Sequence, residues 1–73
     1  MIEQIKAAVH GAAATNQKVA MLHFQVLKNA DDLEGADPKA FCKEISVSEK
    51  YATEFRKMIA LARLMKEQGV KII

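Results

Sequence analysis

The one proline of this 73-residue chain follows an aspartate, and that pair divides the sequence. Asp37 carries the short carboxylate that caps the unpaired N–H groups of a helix's first turn. Pro38 has the fixed φ and missing N–H that the first helical position tolerates. A helix therefore starts at Pro38, and the run DDLEGAD at 31–37, rich in acids and holding a glycine, is the connection into it. With no other proline, only three glycines, and many Ala, Leu, Lys, Glu and Met residues, the segments on both sides favour helix over sheet.

Hydrophobic spacing places the other helices. Ile2, Ile5, Val9 and Ala12 or Ala13 recur at steps of three and four, the stripe of an amphipathic helix weakened by Gly11. Val19, Leu22, Val26, Leu27, Ala30 and Leu33 form a second stripe about a quarter turn out of phase with the first, which puts a break near Thr15 and Asn16. One continuous helix through both stripes is the alternative. The helix from Pro38 runs to about Ile45 with Phe41, Cys42 and Ile45 on one face. From Glu49, the positions Tyr51, Ala52, Phe55, Met58, Ile59, Ala62 and Met65 keep helical spacing up to Gly69, which suits a left-handed C-cap. The tail VKII reads as a short strand, an arm onto a partner, or a cover for the core. The expected fold is all-α: one domain over residues 1–73, a small bundle of three to four helices with a short apolar C-terminal tail.

Several function classes are excluded at this stage. Cys42 is the only cysteine, so neither an intramolecular disulfide nor a four-thiolate metal site is possible, and a reducing, cytoplasmic setting is expected. No run approaches the roughly 20 apolar residues of a membrane span, and the N-terminus lacks a basic start before an apolar stretch, so a soluble, unprocessed chain without a membrane partner is expected. His10, His23 and Cys42 match no zinc spacing, and no metal is expected. His23 lies in the second stripe and reads as a partly buried histidine bonded to a carbonyl; Cys42, beside Phe41, reads as a small hydrophobe. The chain has no Ser, His and Asp grouping, no glycine-rich phosphate loop and no paired catalytic carboxylates. It reads as a non-enzyme with no cofactor and no small-molecule substrate.

Net charge is only +2, but it is unevenly spread. Residues 1–37 hold Lys6, Lys18 and Lys28 against five acids, whereas Lys39, Lys43, Lys50, Arg56, Lys57, Arg63, Lys66 and Lys71 face four acids in the remainder. The basic half contains EISVSEKYATEFRK, residues 44–57, two polar runs around a turn-like Val47-Ser48. Across that turn the apolar positions are Phe41, Cys42, Ile45, Val47, Ala52 and Phe55.

This spacing, over residues 38–58, resembles the helix-turn-helix unit of DNA-binding regulators. In the resemblance Cys42 is the small residue of the first helix, Ile45 precedes the turn, Val47 lies inside it, and Ala52 and Phe55 anchor the second helix. The turn position usually filled by glycine is Ser46, which takes positive φ at some cost. A rival local reading is a capping box, Ser46 with Glu49, starting the last helix at Val47.

A recognition helix here would present Glu49, Lys50, Thr53 and Lys57 to base edges in the major groove of double-stranded DNA. Lys39, Lys43, Ser48, Arg56 and Arg63 would face phosphates, although for Ser48 capping its own helix is the favoured role. The ordinary alternative is a solvated face with pairs such as Lys50 and Glu54. Tyr51 falls on the buried side. Leu61 and Leu64 project away from the main stripe and suggest a homodimer surface, unless the N-terminal helices cover them. The expectation is a small transcriptional regulator. The alternative is a protein-interaction module docking through the apolar last helix and tail; RNA binding ranks third for want of stacking aromatics.

Overall fold

The structure, a computed structural model, describes residues 1–71. Five α-helices follow one another: α1 (Ile2–Ala13), α2 (Lys18–Lys28), α3 (Ala30–Leu33), α4 (Pro38–Glu44) and α5 (Ala52–Glu67). A single 3₁₀ turn, Glu49–Tyr51, leads into α5. Among the described residues there is no strand. The all-α expectation holds, with one more helix than the stripes suggested.

The break between the first two stripes lies where their phase changes. Asn16 takes the left-handed conformation at φ 60°. Its N–H donates to Ala13 O (3.3 Å), and the Gln17 N–H donates to Ala12 O (3.0 Å). This pair of bonds is a Schellman closure, which satisfies carbonyls that a helix end otherwise leaves unpaired.

The second stripe, by contrast, is not one helix. Asn29 interrupts it: both its backbone N–H (3.1 Å) and its side-chain amide (2.9 Å) donate to Gln25 O. An asparagine that competes in this way for a helix carbonyl bends the chain, and α3 restarts after it. The burial pattern survives the bend, since Leu22, Val26, Ala30 and Leu33 are all buried, while Val19 is exposed and Leu27 half-buried.

The connection to α4 is a type II turn, with Glu34 at φ −58°, ψ 127°, Gly35 at φ 85°, and the Ala36 N–H donating to Leu33 O (3.0 Å). The third position of such a turn requires positive φ, which glycine adopts without steric cost. Asp37 then caps α4 as its sequence predicts, accepting the Ala40 N–H on Oδ2 at 2.9 Å, with Pro38 in the first turn.

The core gathers Ile5 and Val9 from α1, Leu22 and Val26 from α2, Leu33 from α3, Phe41 and Ile45 from the α4 segment, and Phe55 and Ile59 from α5. Burying such a side chain is worth about 1.5–3 kcal/mol relative to leaving it in water. α5 is the central element, packed against α2, α3 and α4. The rings of Phe41 and Phe55 meet with centroids 4.6 Å apart and tilted by 38°, which fixes α4 against the first half of α5. At its other end α5 closes on Gly69 (φ 72°), and the Val70 N–H donates to Met65 O (2.8 Å). Val70 is thus part of a helix cap; the rest of the predicted tail, beyond Lys71, lies outside the described residues.

Candidate nucleic-acid interface

Between α4 and the 3₁₀ turn that leads into α5 lie four residues, 45–48. Ile45 caps α4, and Ser46 takes φ 59°. The Ser46 N–H donates to Lys43 O (3.1 Å) and the Val47 N–H to Cys42 O (2.9 Å), the same Schellman bonds that close α1. For an L-residue other than glycine or asparagine this conformation costs about 1 kcal/mol. Side chains hold it in place: Ile45 and Cys42 are fully buried, and Val47 packs half-buried against the core. A further bond comes from α1, where His10 Nε2 lies 2.8 Å from Ile45 O. Because a carbonyl can only accept, Nε2 carries the proton, and the histidine satisfies a carbonyl at the end of α4.

Ser46 is thereby committed to the turn, and the Ser46–Glu49 capping box does not form. Ser48, extended at φ −61°, ψ 143°, is the cap instead, its Oγ accepting the Lys50 N–H at 3.3 Å. Its hydroxyl hydrogen remains able to donate outward. Under the crossing, Cys42 and Ala52 are both buried. Burial, and then the Glu49 carboxylate, push the Cys42 thiol above its ordinary pKa and keep it neutral.

The histidine in the second stripe is also a correction. His23 Nε2 lies 2.7 Å from Glu54 Oε2, so its partner is a carboxylate on α5 and not a backbone carbonyl. Glu54 faces α2, and the predicted Lys50–Glu54 pair is absent among the described ion pairs. The Lys50 ammonium lies instead 5.3 Å from the centroid of the half-buried Tyr51 ring.

Glu49, Lys50, Thr53 and Lys57 are all exposed, as are Lys39, Lys43, Ser48 and Arg56. Thr53 and Lys57 are one helical turn apart on the outer face of α5, with Arg56 at its edge, so the first half of the helix offers a continuous polar surface. Arg63, two turns beyond Arg56, is exposed too, but its Nε donates to Glu34 Oε1 at 2.7 Å and its guanidinium is paired with that carboxylate. Leu61 and Leu64 are 38% and 51% exposed, so the N-terminal helices leave them uncovered. They follow Lys57 at one and two turns on the same side, where the face of α5 changes from polar to apolar.

Lys18 is a residue that sequence reasoning did not select. From the first turn of α2 its Nζ lies 5.3 Å from the centroid of Tyr51, beside the start of α5. It belongs to the acidic half of the chain, and no spacing rule links it to a tyrosine 33 positions later. Among the described residues, no three His, Cys, Asp or Glu side chains group as a metal site requires, and no helix is long and apolar enough to cross a membrane.

A family model described as an HTH-like domain matches residues 1–68, and the chain belongs to that family. The match agrees with the helix-turn-helix resemblance of residues 38–58 and extends it over α1, α2 and α3. No curated protein and no solved structure gives a match.

Proposed function

We propose that this chain binds double-stranded DNA as a transcriptional regulator, placing the start of α5 in the major groove. The observation that carries the reading is the outward face of that helix. It stands beyond a turn whose apolar residues are buried, while Lys50, Thr53 and Lys57 are exposed. In the groove, Lys50 and Lys57 donate to guanine acceptors, the Thr53 methyl meets a thymine methyl, and Glu49 accepts from cytosine N4. Lys39 and Lys43 on α4 and Arg56 on α5 meet phosphates, and Ser48 donates its hydroxyl to one while still capping the turn. Arg63 joins them only on leaving Glu34. The exposed leucines, Leu61 and Leu64, form the contact between two copies, which sets two reading helices on two half-sites. Regulation follows from occupancy of an operator, by occlusion or recruitment.

A fluorescence anisotropy titration with mixed-sequence duplex tests the reading. Affinity should fall with salt along a logarithmic slope of about 0.9 per phosphate neutralised, and K50A/K57A should weaken binding about tenfold or more. Binding that ignores salt, or a double variant equal to the wild type, would overturn it. Movement of the Leu61 and Leu64 resonances by a protein partner, with Lys50, Thr53 and Lys57 amides unmoved by DNA, would favour the interaction-module alternative.

A further inference from the structure

We propose that Lys18, outside the helix-turn-helix unit, is a DNA phosphate ligand that α2 contributes to the start of the reading helix. The inference deepens the DNA-binding reading and rests on it. Its basis is the environment of Tyr51. Two ammonium groups, Lys18 Nζ from α2 and Lys50 Nζ from the 3₁₀ turn, each lie 5.3 Å from the centroid of that one ring. They are therefore no farther apart than twice that distance.

Attraction to an aromatic ring at an exposed site is weak, so neither ammonium is committed to the ring it lies against. Among the described residues neither lysine has a carboxylate within ion-pair distance; the pairs present are His23–Glu54, Arg63–Glu34 and Lys66–Asp31. Glu49 adjoins Lys50 in sequence without pairing with it, and Glu54, the other acid near this end of α5, is occupied by His23. An anion is what this arrangement lacks. Tyr51 adjoins Ala52, the first residue of α5, and the polar face with Thr53 and Lys57 begins there. When that face enters the groove, with Lys50 at its base edge, the flanking backbone passes the start of the helix, so a phosphodiester oxygen meets the Lys18 ammonium beside it. Tyr51 then acts as a spacer: its half-buried ring holds both lysine stems in place and limits the rotamer freedom that binding would otherwise remove.

The chain contains a matched control. Lys28, at the far end of α2, also lies over a ring, with Nζ 5.9 Å from the centroid of Phe24, and it is roughly 15 Å along the helix from Lys18 at 1.5 Å per residue. Lys18→Ala and Lys28→Ala remove the same charge from the same helix. Affinity for a mixed-sequence duplex is measured by anisotropy between 50 and 200 mM salt, with melting by circular dichroism alongside. One phosphate contact contributes a slope of about 0.9, so over this fourfold rise in salt K18A should lose about 3.5-fold less affinity than the wild type does. K28A should keep the wild-type slope, and Lys18→Arg should restore it. If K18A fails to fold, Lys18→Gln replaces it with a longer neutral side chain. A wild type with a normal slope and a K18A slope equal to that of K28A overturns the inference alone. A wild type whose affinity ignores salt overturns the DNA-binding reading and this inference together.

Discussion

The chain makes nearly the same backbone turn twice, once after α1 and once after α4, and the two differ in what surrounds them. At both, a residue other than glycine takes a left-handed conformation, Asn16 at φ 60° and Ser46 at φ 59°. At both, two backbone bonds close the helix end, to Ala12 and Ala13 in one case and to Cys42 and Lys43 in the other. Around the first turn, Thr15, Asn16 and Gln17 are exposed, and Thr15 Oγ1 donates to Ala12 O (3.1 Å) in solvent. Around the second, Cys42 and Ile45 are buried, Val47 is half-buried, and His10 reaches over from α1. The first turn is a connection between two helices. The second sets the direction of α5, because Cys42, Ile45 and Val47 are held by the core and the Ile45 carbonyl is held by α1. Turn geometry is shared; orientation comes from burial.

The severest way to break the difference is Ala52→Lys. Ala52 is 4% exposed under the crossing of α4 and α5, so a long charged side chain there both overpacks the contact and buries an ammonium. The expected loss exceeds about 3 kcal/mol, enough to unfold a domain of this size or to turn α5 out of place, and DNA binding should go with it. Melting unchanged from the wild type would show that the helices do not cross as described.

An intermediate effect is expected from the side-chain bonds to the two helix ends. His10→Ala leaves the Ile45 carbonyl without a donor and should cost about 1–1.5 kcal/mol, a drop of roughly 4–12 °C in Tm for a domain this small. Thr15→Ala removes a bond in solvent and should cost under about 0.5 kcal/mol. Equal effects from the two would mean that the second turn is held no better than the first. The smallest effects are stabilising. Ser46→Gly relieves a conformation that serine adopts at a cost and should gain about 0.5–1 kcal/mol, while Asn16→Gly should gain only a few tenths, because asparagine tolerates that region. Thermal melts of the two variants against the wild type would measure both, and a larger gain at Asn16 would reverse the ranking of strain proposed here.

The same contrast explains what was legible in the sequence. The caps at Asp37 and Ser48 and the apolar spacing of Phe41, Cys42, Ile45, Val47, Ala52 and Phe55 are local rules, decided within a turn or two of helix, and they reappear in the structure as read. The split of the second stripe at Asn29 was hidden because an asparagine side chain can point to solvent or back to its own helix, and only the folded chain shows which. His10 on Ile45 O and His23 on Glu54 span 35 and 31 residues. Lys18 beside Tyr51 is of the same kind. Such contacts depend on how α1 and α2 lie across the α4–α5 pair, which no periodicity encodes. The exposed face of α5 was legible because an amphipathic stripe defines its own opposite side.

The imidazole of His10 has a practical consequence for anyone wishing to transplant α5 together with its turn. An excised segment beginning at Pro38 would carry every residue of the turn and still leave the carbonyl of Ile45, the cap of its first helix, without a donor, in the bend that aims the second. The smallest portable unit must therefore bring α1 along, or a recipient scaffold must offer an N–H of its own at that point. A graft lacking both would leave that carbonyl to water and hold the bend less firmly.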